Sequence, residues 1–314
     1  MITRRDYLRL SIAAGVSLGF GARLLADDTR SLSLITREIP SSGERLPVVG
    51  LGSSATFAQV ARGEDTDALR SVLQAMTEHG GTVFDTAPSY GVSEAVAGDL
   101  ARELGLTDTL FWATKVNVAG RNGGRADADE ARAQIETSFK RIGRPAIDLI
   151  QVHNLGDVPT QLGILKSLRD EARIRYLGVT TTFPRQYEEL ESIMRNEPLD
   201  FIGIDYAIDN LAMEERIFPL ARERGIAVLV YAPFGRTRLW ERVRGKEVPD
   251  WAAEFDAHSW AQFFLKFVIA HPAVTAATPA TSQARHMIDN MGAALGELPD
   301  EAMRKRMINH IETL

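Results

Sequence analysis

Between Val48 and Leu295 the chain repeats one unit eight times: a short apolar run, then a stretch with apolar residues at helical spacing. The runs are Val48–Ser53, Thr82–Asp85, Leu110–Lys115, Ile147–His153, Ile174–Thr180, Phe201–Asp205, Ile226–Tyr231 and Ala273–Thr278. They are apolar throughout rather than alternating, as in strands covered on both faces. The stretches between them read as helices, clearest at Asp65–His79, where Ala68, Leu69, Val72, Leu73 and Met76 share a face and Gly80-Gly81 stops the element. Short strands alternating with helices imply parallel pairing through right-handed crossovers.

Eight such units predict a (β/α)₈ TIM barrel. Arg37–Pro47, with Ser42-Gly43 as its turn, reads as a capping hairpin, and Asp300–Ile311 as an extra C-terminal helix. The competing doubly wound open sheet usually carries GxGxxG after its first strand. Here that strand ends Gly50-Leu51-Gly52-Ser53-Ser54-Ala55, which breaks the fingerprint. Residues 31–314 are expected to form a single barrel domain. The Gly235–Asp256 stretch reads as a long irregular loop.

Residues 1–26 stand apart. Thr3-Arg4-Arg5-Asp6-Tyr7-Leu8-Arg9 precedes an apolar run, Leu10 to Phe20, too short to span a bilayer comfortably. The paired arginines resemble a twin-arginine (Tat) export signal. Ala26 or Ala22 would end it, and an uncleaved membrane anchor stays open. The resemblance implies the Tat export machinery as a partner and a periplasmic location; an N-terminal helix on a cytoplasmic protein is the alternative. The chain has no cysteine, so disulfides, thiolate zinc sites and thiol nucleophiles are excluded, and no metal site is expected. A net charge of −6 argues against a nucleic-acid partner.

In a barrel of this kind the working side chains sit at the carboxyl ends of strands. Those ends are Asp85, Lys115, His153, Thr180-Thr181 and Tyr231. A charged residue closing a buried apolar strand needs a partner. Asp85 on the adjacent strand is in reach of Lys115. Tyr90, five residues after Asp85, is carried back over the same mouth by a loop shaped by Pro88 and Gly91. A carboxylate and a phenol at one strand end are half of a proton-transfer site. Any one of these residues alone is as well explained by a structural ion pair, a satisfied polar group or a surface loop; four at neighbouring strand ends are not.

With those residues in place the sequence resembles the aldo-keto reductase family. The matching segments are Val49-Gly50-Leu51-Gly52, Asp85-Thr86-Ala87-x-x-Tyr90-Gly91-x-Ser93-Glu94, Thr114-Lys115, Asp148-Leu149-x-x-x-His153, Gly178-Val179-Thr180, Tyr231-Ala232-Pro233-Phe234-Gly235 and Asp289-Asn290. The resemblance runs from Arg37 to Leu298. It implies an NAD(P)-dependent oxidoreductase moving a hydride between nicotinamide and an aldehyde, ketone or sugar-like carbonyl. Tyr90 would be the general acid, Lys115 would lower its pKa, Asp85 would orient Lys115, and His153 would place the carbonyl oxygen.

For the cofactor, NADP with NAD open, the resemblance implies Thr180 and Thr181 at the carboxamide and Tyr231 against the ring. Gly235 and Arg236 would lie at the pyrophosphate, and Thr281, Arg285, Asp289 and Asn290 at the adenosine end. Here the sequence departs from the family pattern: a Ser-Asn pair has become Thr180-Thr181, a glutamine on the sixth strand has become Gly203, and the basic residue after the last strand is missing. Phe57, Asn154 and Trp240 are candidate substrate contacts. Trp240 and Trp251 would either cover the substrate or pin their loop. The weakened carboxamide site keeps two other functions in view: a nucleotide-binding accessory or sensor barrel, and a lyase or isomerase with tightly held cofactor.

Overall fold

The computed structural model describes residues 33–63, 66–120 and 123–314; the twin-arginine segment lies outside the described residues. Two short antiparallel strands, β1 (Thr36–Glu38) and β2 (Arg45–Pro47), form the expected hairpin. Eight parallel strands follow: β3 (Leu51–Gly52), β4 (Val83–Asp85), β5 (Phe111–Val116), β6 (Ile147–Val152), β7 (Ile174–Thr181), β8 (Phe201–Asp205), β9 (Ala227–Tyr231) and β10 (Ala276–Ala277). Each pairs with its neighbour in sequence. Bridges between Val49 and Ala277 and between Gly52 and Ala280 bring the last strand back to the first. That closure needs Gly52, because a Cβ there would lie 2.6 Å from the Thr278 carbonyl oxygen.

Strand pleating explains the apolar runs. Val83, Phe111, Leu149, Tyr176 and Phe201 fill the barrel lumen together with Ile39 and Leu46 of the hairpin. Their chain neighbours Phe84, Trp112, Ile150, Leu177 and Ile202 point outward under the helices. Both faces are dry, so neither can be polar. The hairpin plugs the end of the barrel opposite the strand carboxyl ends. It is tied down by Arg37, which donates to the carbonyls of Ile269, His271 and Val274.

The helices match the amphipathic stretches, with boundaries set by capping. Asp127 accepts from the Glu130 N–H to start α4 (Ala128–Ile142), and Gly143, at φ 78°, ends it in the left-handed region. Helix α1 (Thr56–Arg62) was not expected. Its seven residues carry only Phe57, Ala58 and Ala61 inward, a signal too short to separate from a loop. Helix α2 (Thr66–Glu78) and α3 (Ser93–Glu103) agree with the expectation. The Gly235–Asp256 segment is more ordered than expected: it holds a short helix, Arg238–Arg242, and a 3₁₀ turn, Asp250–Phe255. Among the described residues no helix is long and apolar enough to cross a membrane.

Candidate active site

At the carboxyl ends of the strands, Lys115 Nζ lies 2.6 Å from Asp85 Oδ1 and 2.8 Å from the Thr86 carbonyl oxygen. Both charged side chains are buried. The ammonium faces Tyr90, 5.2 Å from its ring centroid, and the Tyr90 and His153 rings meet edge to face at 5.9 Å. The structure therefore brings Asp85, Lys115, Tyr90 and His153 to one place. The register does this: Asp85 pairs with Ala113 on β5, which sets Lys115 two residues further on, level with Gln151 on β6.

The electrostatics differ from the expectation at Tyr90. Burial pushes its phenol above the ordinary tyrosine value; the Lys115 charge pulls it down, Asp85 pushes it up, and the net shift is upward. Burial also works against charge on Lys115, but Asp85 and Tyr90 outweigh it and hold the ammonium protonated. Burial raises the Asp85 carboxyl, with Lys115 opposing. Tyr90 is thus a neutral phenol at neutral pH, touching a fixed cation: the form needed to give up a proton rather than accept one.

A cavity of about 490 Å³ opens above these groups, with Asp85, Tyr90, His153, Thr180, Thr182 and Tyr231 in its wall. A second, of about 590 Å³, lies outward along the tops of the last strands and is walled by Trp260, Thr281, His286 and Asn290. Thr56, Phe234, Trp240 and Ala280 line both, so the two form one groove. The backbone at its inner part is strained: Ala55, Asn154 and Ala232 have φ of 51°, 56° and 50°, a region that non-glycine residues seldom enter.

The groove fits an elongated dinucleotide. Its inner end offers the Thr180 and Thr182 hydroxyls and the Tyr231 ring. Its outer end reaches the start of the helix Ala284–Gly292, whose first N–H groups have no side-chain cap. Asp289 is oriented there by Ser259 Oγ at 2.8 Å and Gln262 Nε2 at 2.9 Å, beside Asn290.

Four expected contacts fall elsewhere. Phe57 is fully buried on α1 with its ring 5.6 Å from Phe84; it is core, not substrate wall. Thr181 turns away from the groove because β7 runs one residue further than expected, so Thr180 and Thr182 share the inner face. The Thr181 hydroxyl instead donates to Gln186 Oε1 at 2.5 Å and accepts from the Phe183 N–H. Gly235 packs against Asp209, whose carboxylate a Cβ would meet at 2.8 Å, rather than lining the groove. Arg285 is exposed and donates to Gln283. Asn154, Arg236 and Trp240 do line the inner cavity. Trp251 pins its loop, with its ring 5.5 Å from His310 and under the Arg306 guanidinium. Thr182 and Gln151 were missed; strand alternation counted from Thr180 and His153 points to both.

A parallel eight-stranded barrel with a buried Lys–Asp pair against a neutral tyrosine, at one end of a dinucleotide-sized groove, defines a carbonyl oxidoreductase. The aldo/keto reductase family model matches residues 48–307. Aldo-keto reductase YhdN of Bacillus subtilis is 30% identical over 226 residues, 69% of this chain and 66% of that protein. Aldo-keto reductase str7 of Strobilurus tenacellus is 25% identical over 294 residues, 82% of this chain and 85% of that one. Among solved structures, a Klebsiella pneumoniae aldo-keto reductase in complex with NADPH superposes with a TM-score of 0.72 at 23% identity, covering 88% of this chain and 96% of that one. The holo form of a Bacillus halodurans aldo-keto reductase gives 0.69 at 22% identity, covering 89% and 96%. The chain belongs to the aldo/keto reductase family and is an oxidoreductase.

Proposed function

We propose that the chain interconverts an aldehyde, ketone or sugar-like carbonyl and its alcohol with NADP(H), Tyr90 handling the proton. The convergence of Tyr90, Lys115, Asp85 and His153 on one cavity wall carries this reading. A bound reduced nicotinamide supplies the hydride. Tyr90 and His153 hold the carbonyl oxygen, so that charge developing on it meets a phenolic proton backed by the Lys115 ammonium. Asp85 keeps Lys115 charged and aimed. Thr180 and Thr182 hold the carboxamide, Tyr231 backs the ring, Arg236 serves the pyrophosphate, and Thr281, Asp289 and Asn290 serve the adenosine. Asn154 and Trp240 border the substrate.

NADP is supported by the NADP and NADPH complexes of the Klebsiella pneumoniae relatives. NAD is the second reading, favoured by the outer cavity, whose wall among the described residues holds no lysine or arginine. Export through the Tat machinery to the periplasm is proposed from Arg4-Arg5 and the apolar run after them, the nucleotide travelling inside the folded barrel. Protein taken from a periplasmic extract and denatured should then release nucleotide absorbing near ~340 nm or ~260 nm; none released counts against it.

The central test is Tyr90→Phe with a panel of carbonyl compounds. A loss on the order of 100-fold in kcat with nucleotide binding retained is expected. Turnover at the parent rate would sink the mechanism.

A further inference from the structure

The hydroxyl of Tyr231 reaches the floor of the proton-transfer site. Tyr231 ends β9 beside β8, and the lumen position before it on β8 is Gly203. A Cβ on Gly203 would lie 2.4 Å from Tyr231 Cε2 and 2.6 Å from its hydroxyl oxygen. The ring therefore occupies the space that any side chain at position 203 would need. With that room it leans across the lumen until its oxygen is 3.1 Å from Asp85 Oδ2 and 3.0 Å from Gln151 Nε2.

The proton inventory fixes who donates. A carboxylate only accepts and a phenol has one proton, so Tyr231 donates to Asp85 and the Gln151 amide donates to Tyr231. Asp85 is then held at both oxygens, Oδ1 by Lys115 and Oδ2 by Tyr231. Lys115 has three N–H groups. One goes to Asp85 and one to the Thr86 carbonyl oxygen, which leaves the third for Tyr90. The Lys115 ammonium sits 5.1 Å from the Tyr231 ring centroid and 5.2 Å from that of Tyr90, between two aromatic rings.

We propose that Tyr231 is a positioning residue for the reaction. Its hydroxyl occupies the second oxygen of Asp85, so that the carboxylate engages Lys115 through one oxygen and the ammonium keeps a donor for Tyr90. Gly203 is the gap that admits the ring, and Gln151 fixes the hydroxyl. The inference rests on Tyr90 as the proton donor. It adds a task to Tyr231 beyond presenting an aromatic face, and it accounts for a glycine where the sequence departs from its family.

The pH dependence has a definite direction. The titratable and charged groups facing Asp85 are Lys115 and Tyr231, with Tyr90, His153 and Arg236 across the mouth. A hydrogen bond on Oδ2 draws charge from the carboxylate and leaves more of the Lys115 field for Tyr90. Without it, Asp85 offsets Lys115 more fully, the Tyr90 proton is held more tightly, and the alkaline limb of carbonyl reduction moves to higher pH.

The test compares Tyr231→Phe, Gly203→Ala and Tyr90→Phe with the parent chain. It uses carbonyl reduction from about pH 6 to about pH 10, with NADPH and NADH binding followed by intrinsic fluorescence. Tyr231→Phe keeps the ring, so nucleotide affinity should stay within about twofold. Its kcat should fall about tenfold, the size of one hydrogen bond to a charged group, and its alkaline limb should move up. Gly203→Ala, which displaces the ring but keeps the hydroxyl, should change kcat and the limb the same way. A Tyr231→Phe variant with the parent's kcat and limb, or one whose loss is confined to nucleotide affinity, overturns the proposal. A Tyr90→Phe variant that still turns over at the parent rate overturns the underlying mechanism; an inactive one beside a parent-like Tyr231→Phe overturns this inference alone.

Discussion

Lys115 Nζ and Asp85 Oδ1 are 2.6 Å apart, with side-chain exposures of 1% and 4%. Neither charge has water to fall back on, so each depends on the other. Lys115→Met should destabilise the fold by about 3–5 kcal/mol, because it strands a buried carboxylate. Adding Asp85→Asn should recover much of that loss while activity stays absent. Urea denaturation of the two single variants and the double variant gives the coupling directly; additive losses would mean that the pair is not a unit.

Phe57 and Trp240 were both expected at the substrate, and the fold separates them. Phe57→Ala removes a fully buried ring from its contact with Phe84, and should cost about 3–5 kcal/mol of stability. At a temperature where the variant is folded, its KM for carbonyl compounds should stay within about twofold of the parent's. Trp240→Ala, on the rim at 39% exposure, should do the reverse. Thermal melts beside steady-state kinetics separate the two.

Thr180 and Thr181, which end β7, and Thr182, which follows it, should divide by face. Thr180→Ala and Thr182→Ala each remove a hydroxyl from the groove and should weaken nucleotide binding about five- to tenfold, the worth of one hydrogen bond. Thr181→Val should leave the nucleotide Kd within about twofold and cost about 1 kcal/mol of stability, because Gln186 and the Phe183 N–H lose their partner. Titration calorimetry with NADPH would decide; a large affinity loss in Thr181→Val would count against the assignment of faces.

Acid stability should depend on His271. It is wedged against Phe218 and Tyr206, with ring centroids 4.6 Å and 6.0 Å away. Burial, helped by the nearby Arg304, depresses its imidazole to about 4 from 6.5. The unfolded chain therefore takes up the proton first as pH falls. The stability that neutral His271 contributes is complete above about pH 6.5 and is lost progressively toward about pH 4. Melting temperatures of the parent should fall across that window, and His271→Phe should show a shallower fall. Parallel curves would show that other groups dominate.

The barrel was legible because its signal repeats: eight apolar runs, each bounded by helical spacing, leave little else to build. Asp85, Lys115 and His153 were legible because a charged or titratable residue closing a dry strand is costly anywhere but at a mouth. Helix α1 was not legible, since seven residues carry barely two turns of periodicity. The exact end of β7 was not legible either. One extra strand residue exchanges the roles of Thr181 and Thr182, because strand side chains alternate faces.

The sequence by itself determined the strand order, the covered faces and which residues fall near each strand's carboxyl end. These follow from local period and from the cost of burying charge, both carried by neighbours along the chain. Only the tertiary structure decided what each of those residues touches. Tyr231 and Asp85 are 146 positions apart, and no local pattern records that their oxygens meet. The meeting depends on ring closure, on strand register, and on an empty position at Gly203, which are properties of the closed barrel as a whole.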